Sequence, residues 1–172
     1  MQLFLDGSEI DKIREYCGLG LIDGVTTNPS IILKSGKNMI EVISELAGIV
    51  SGSVSAEVSA LDSDTMVQEG IKLAEIAENV TVKLPITWDG LKACKTLSNK
   101  GISVNMTLCF SSSQALLAAK AGAEYVSPFI GRLDDLNLEG IDLISDIKLI
   151  YSNYKFSTKI LAASIRTINH VK

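Results

Sequence analysis

Seven short apolar runs, each followed by a helix-like segment, recur along the whole chain and constrain its fold more than any other feature. The runs are LFLD (3–6), GVTTN (24–28), VSAEVS (54–59), VTVKLP (80–85), ISVNMTL (102–108), EYVSPF (124–129) and KILAAS (159–164). Helical spacing fills the gaps: 8–16, opened by a capping box of Ser8 and Asp11, then 38–50 and 63–78. A helix capped by Thr87 and closed by Gly101 follows, then one with serines 111–113 as candidate caps that ends before Gly122. Residues 140–152 form another, and a last helix starts near Thr167. Such alternation predicts a parallel sheet covered by helices. No linker or low-complexity run interrupts it, which predicts one domain over 1–172. No G-x-G-x-x-G follows the first strand, so a dinucleotide site of the Rossmann type has no support.

Strand parity chooses between an open sheet and a closed barrel. Successive side chains of a strand point to opposite faces. Val80, Val82 and Leu84 share one face, Thr81 and Lys83 the other; Val104, Met106 and Leu108 oppose Ser103, Asn105 and Thr107. Ala56 and Val58 likewise oppose Ser55, Glu57 and Ser59. The aliphatic set suits burial under helices. The polar set gathers near the strand C-termini: Asp6, Asn28, Glu57, Lys83, Asn105, Thr107, Ser127 and Ser164. Helices on both faces would bury these groups singly against apolar surface, which is costly. A closed (β/α)8 barrel of the TIM type collects them at one mouth, where barrel active sites lie. The expectation is therefore that barrel, with seven strands present.

Composition narrows the function. A formal charge of −4 disfavours a nucleic-acid partner, which needs a basic surface. No segment reaches the roughly 20 apolar residues of a membrane-spanning helix. The N-terminal MQLFLD opens directly into a strand with no basic region before it, which argues against a secretory signal. Cys17, Cys94 and Cys109 are three widely spaced thiols without a CxxC pairing, a pattern that fits a reducing, cytosolic compartment. His170 is the single histidine, so a His-based triad or a multi-His metal site has almost nothing to build on.

Each candidate has a bland reading beside a functional one. A lysine in a strand is ordinarily an edge residue that discourages aggregation. Lys83 departs from that because its neighbours read as a central strand, Glu57 stands at the matching depth of the preceding strand, and Asp6 closes the first. A desolvated lysine among polar groups can become a nucleophilic amine for carbonyl substrates. Lys83 and Glu57 could also simply form a structural ion pair. Asp6 could be a helix-capping or turn residue, and Asn28 before Pro29 could be a turn asparagine. Arg132 and Arg166 each follow a late strand. One such arginine is usually solvated, but two beyond consecutive strands, with Ser164 beside the second, would make an anion site.

The segments GVTTNPS (24–30), VKLP (82–85), NMTL (105–108), ALLAAKAGA (115–123), YVSPFIGRLD (125–134) and LAASIR (161–166) resemble the small transaldolase and fructose-6-phosphate aldolase family, in order along essentially the whole chain. The resemblance implies a class I aldolase-type barrel with Lys83 as the Schiff-base lysine and Asp6 as the acid/base for carbon–carbon cleavage. It implies that Glu57 and Thr107 hold a proton-shuttling water. Thr26, Asn28, Asn105, Ser127, Phe129 and Ser164 would bind substrate, and Arg132 and Arg166 its phosphate. It implies sugar phosphates as ligands, no cofactor or metal, since the protonated imine is the electron sink, and a homo-oligomer, a pentamer or decamer. Glu57 and Phe129 are similar to the transaldolase branch, where the aldolase branch has Gln and Tyr. Without a phenol hydroxyl to protonate it, the enamine should survive until an acceptor arrives. The alternatives are an aldolase releasing dihydroxyacetone and a non-catalytic phosphosugar-binding remnant. Two departures are visible: Gly7 stands where the family usually has Thr or Ser, and the seven strands leave the barrel short of its last strand and helix.

Overall fold

The computed structural model describes residues 1–172, the side chain of Ser35 excepted. Contacts divide the chain into two compact units, Met1–Lys83 and Leu84–Lys172. The first holds β1 (Phe4–Asp6), α1 (Ile10–Gly18), β2 (Gly24–Thr26), α2 (Pro29–Ser35), α3 (Met39–Ile49), β3 (Ser53–Glu57), α4 (Ser63–Ala74) and the start of β4 (Val80–Pro85). Its strands pair in parallel, each with the next in sequence. Val25, Val42, Ile43, Leu46, Val54, Ala56, Met66 and Val82 form its core with no exposed surface. Burying each of the larger of these is worth about 1.5–3 kcal/mol.

The second unit carries α5 (Trp88–Asn99), β5 (Val104–Cys109), α6 (Ser112–Ala121), β6 (Tyr125–Pro128), α7 (Ile130–Asp134), α8 (Gly140–Tyr154), β7 (Lys159–Ile160) and α9 (Ile168–Val171). β5, β6 and β7 are again sequential parallel neighbours. Leu97, Met106, Ala115, Ala118, Ile130 and Ile147 are fully buried there. Strands followed by helices, with parallel neighbours in sequence order within each unit, are the pattern of a (β/α)8 TIM-type barrel, of which seven strands are present among the described residues. No helix among those residues is long and apolar enough to cross a membrane.

Local chemistry explains most boundaries. Thr87 accepts a hydrogen bond from Gly90 N at 3.0 Å and starts α5; Ser111 accepts from Gln114 N at 3.2 Å and starts α6. Gly122 ends α6 in the left-handed region (φ 94°), where a side chain is disfavoured. Thr87→Ala should cost about 1 kcal/mol, as lost N-caps do, measurable by thermal unfolding.

Several expectations need correction. The capping box at Ser8 and Asp11 does not form: α1 starts at Ile10 after Glu9, which makes no side-chain cap. Ser8 Oγ instead donates to Ile31 O at 3.2 Å, a tertiary bond that outcompetes the local one. The second strand ends at Thr26 rather than residue 28, because Asn28 caps α2, an extra helix with Pro29 at its first position. The strands expected over 124–129 and 159–164 end early, at Pro128 and Ile160, and α7 follows the first at once. Leu108 does not continue the buried aliphatic face: a register shift between Met106 and Cys109 puts it at φ 59° and leaves it 41% exposed.

Candidate active site

In the first unit, the β3–β4 register sets Glu57 directly opposite Lys83. Lys83 Nζ lies 3.1 Å from Glu57 Oε2 and donates to Thr27 O at 3.0 Å. The lysine is 7% exposed, so its ammonium is held by one carboxylate and one carbonyl with little water. Such desolvation needs compensation, and these two acceptors provide it. Thr27 is fully buried, and its own hydroxyl donates to Ser55 O at 2.9 Å, which fixes the carbonyl that receives Lys83. The reading of Lys83 as an exposed edge-strand lysine fails, because the side chain is buried.

Asp6 and Thr26 stand opposite each other in the β1–β2 register, and Thr26 Oγ1 donates to Asp6 Oδ1 at 2.7 Å. Thr26 in turn faces Ser55, two residues before Glu57, so the Asp6 rung lies below the Lys83 rung. Asp6 caps no helix. A Cβ at Gly7 would meet nothing within 4 Å, so the serine or threonine usual there has room. Asn28 Oδ1 accepts from Ile31 N at 2.9 Å, which commits the oxygen to capping α2 and leaves its amide group to donate elsewhere.

In the second unit, Ser127 Oγ donates to Asn105 Oδ1 at 2.8 Å, with both side chains buried. Thr107 is 1% exposed, and its Oγ1 makes no hydrogen bond among the described residues. An orphaned buried hydroxyl is costly in a packed strand unless something else uses it. Phe129 precedes α7 and meets Phe110 edge to face at 5.8 Å. Ser164 takes φ 60°, unusual for a residue with a side chain, and sits against Gly131. A Cβ on Gly131 would collide with Ser164 O and lie 2.9 Å from Arg166 Nε, so only glycine permits this approach.

Arg166 is paired, through both terminal nitrogens, with the two carboxylate oxygens of Asp135, at 2.7 Å for Nη2–Oδ2. That bond holds the Asp135 carboxyl below the usual range, with a smaller push from the charge of Arg132. Arg132 and Arg166 are thus both within electrostatic reach of one anion, although each is exposed. His170 Nε2 lies 2.7 Å from Asp134 Oδ2, and its Nδ1 accepts from Arg166 N at 3.2 Å. Sequence reasoning passed over Thr27, Gly131 and Asp135. A backbone carbonyl leaves no mark in residue type, while the double aspartate after Arg132 was the available signal for the last. Among the described residues no group of three His, Cys, Asp or Glu side chains could hold a metal ion.

A sequence model for transaldolase/fructose-6-phosphate aldolase matches residues 3–172. A probable transaldolase of Roseobacter denitrificans is 66% identical over 172 residues, covering 100% of this chain and 79% of that protein. Those of a Ruegeria species and of Dinoroseobacter shibae are 64% and 63% identical, over 99% and 100% of this chain and 79% of each relative. Matched along nearly its full length by the family's model and at such identity by its members, the chain belongs to the transaldolase/fructose-6-phosphate aldolase family of enzymes.

Proposed function

We propose that the enzyme is a transaldolase that moves a dihydroxyacetone unit from a ketose phosphate, fructose 6-phosphate or sedoheptulose 7-phosphate, to an aldose phosphate. The observation that carries the reading is Lys83, buried and held between Thr27 O and Glu57 in a strand that otherwise carries apolar and hydroxyl side chains. Its amine, once deprotonated, condenses with the ketose C2 carbonyl and releases water to give an imine. Asp6 takes the C4 hydroxyl proton, the C3–C4 bond breaks, and its electron pair passes into the protonated imine as an enamine. The aldose phosphate leaves. The enamine then attacks the aldehyde carbon of a second aldose phosphate, whose carbonyl oxygen takes the proton back from Asp6, and hydrolysis of the restored imine frees Lys83. Glu57 and Thr107 are assigned to the water that carries protons between these steps. Thr26, Asn28, Asn105, Ser127, Phe129 and Ser164 are assigned to the substrate, and Arg132 and Arg166 to its phosphate. A homo-oligomer in the cytosol belongs to the same proposal.

Transfer is favoured over release by Phe129, whose ring carries no hydroxyl to protonate the enamine, and by relatives that are named probable transaldolases. Fructose 6-phosphate should therefore be consumed rapidly only when an aldose phosphate acceptor is present. Phe129→Tyr should raise the acceptor-free release of dihydroxyacetone on the order of tenfold, less than the roughly 10²–10⁴-fold of a fully positioned proton donor because the added hydroxyl comes without supporting partners. Coupled assays of glyceraldehyde 3-phosphate with and without erythrose 4-phosphate read the consumption, and an assay of free dihydroxyacetone reads the release. Equal wild-type rates of consumption with and without the acceptor would make the enzyme an aldolase instead.

A further inference from the structure

The pairing of Arg166 leaves a question about what its partner does. Asp134 and Asp135 are adjacent but differently committed. Asp134 Oδ1 accepts from Gly140 N at 3.0 Å at the start of α8, and its other oxygen meets His170. Asp135 makes no side-chain hydrogen bond except to Arg166, among the described residues. Its two oxygens lie on the two terminal nitrogens of the guanidinium, the same forked geometry in which arginine grips a phosphate. Both side chains are 43% exposed, so water reaches the pair and exchange is open.

We propose that Asp135 is an internal counter-anion that occupies Arg166 until a substrate phosphate displaces it, setting a threshold that only strongly anionic ligands cross. The inference rests on reading Arg132 and Arg166 as the phosphate ligands. A carboxylate brings one negative charge, whereas a phosphate monoester carries about −1.5 to −2 near neutral pH with three acceptor oxygens. The phosphate therefore gains more from the two arginines than Asp135 loses by turning to water. An uncharged sugar hydroxyl offers no such exchange. Asp135 is a positioning residue in this account: it touches Arg166 and no reacting atom. The cost it imposes falls on phosphate affinity and not on the chemistry at Lys83.

The test uses the full chain and inorganic phosphate as probe, with affinity measured by calorimetry for the wild type, Asp135→Asn, Asp135→Ser and Arg166→Ala. Removing the competing charge should tighten phosphate roughly two- to fivefold, the range exposed ion pairs span. KM for fructose 6-phosphate should fall by a similar factor with kcat unchanged. Borohydride trapping with unphosphorylated dihydroxyacetone should stay at the wild-type yield, a readout that damage to the fold would lower. Unchanged or weaker phosphate binding in both Asp135 variants, with binding lost in Arg166→Ala, overturns the role of Asp135 and leaves the phosphate site standing. Wild-type phosphate affinity in Arg166→Ala overturns the phosphate site itself and this inference with it.

Discussion

Lys83→Met should abolish turnover of fructose 6-phosphate, by about 10⁴-fold or more, as loss of a covalent nucleophile does in other enzymes. Methionine keeps the length and fills the slot beside Thr27 but cannot form an imine. The wild type, treated with borohydride and fructose 6-phosphate, should yield a peptide spanning Lys83 that carries the reduced sugar adduct. The variant should yield none. Stability moves separately. Stripping one partner from a dry ion pair costs about 3–5 kcal/mol when the other charge stays buried. Glu57 is 17% exposed, so water can reach it, and the loss should fall below that range. The two readings of the Lys83–Glu57 pair thereby come apart: a purely structural pair would change thermal unfolding and leave no adduct to lose. Trapping on another lysine, or retention of more than a few per cent of the rate, would sink the Schiff-base assignment.

How much of this site was legible beforehand depends on what kind of signal each part leaves. Lys83 and Glu57 were readable because period-two alternation survives in short strands, and the register then set them opposite each other. The alternation failed at Leu108, where a shift in the β5–β6 register turns the backbone, a change that leaves no trace in apolar patterning. α2 had a signature in Asn28-Pro29, a cap followed by proline at the first helical position, but the same pair reads equally well as a turn. α7 has no side-chain cap and only five residues, too few for helical periodicity to register. The anion pair was the least legible part. Asp135 and Arg166 are 31 positions apart, and nothing local to either says that they meet.

Gly131→Ala should do the most damage after Lys83, and it should do so without touching the chemistry. The added methyl collides with the carbonyl oxygen of Ser164 and lies 3.0 Å from Ser164 Oγ, so it must push backbone rather than a flexible side-chain tip. Ser164 has little room to yield, since it already holds a left-handed conformation that disfavours a side chain. Forcing volume into such a contact costs about 1–3 kcal/mol. For a chain of this size that corresponds to a fall of about 3–10 °C in Tm. The strain falls where Ser164 and Arg166 follow the short β7, with Arg166 Nε 2.9 Å from the same methyl. KM for phosphorylated substrates should therefore rise more than tenfold as the anion ligands shift, an effect equivalent to about 1.4 kcal/mol of binding or more. Dihydroxyacetone, which carries no phosphate, should still be trapped on Lys83 at close to the wild-type yield. Lys83 and its acceptors Thr27 and Glu57 belong to the first unit, whereas Gly131, Ser164 and Arg166 belong to the second. If the variant binds inorganic phosphate and unfolds as the wild type does, the close approach of Gly131 to Ser164 has no energetic weight. If it loses the dihydroxyacetone adduct as well, anchoring and chemistry are not separable in the way the two sets of residues suggest.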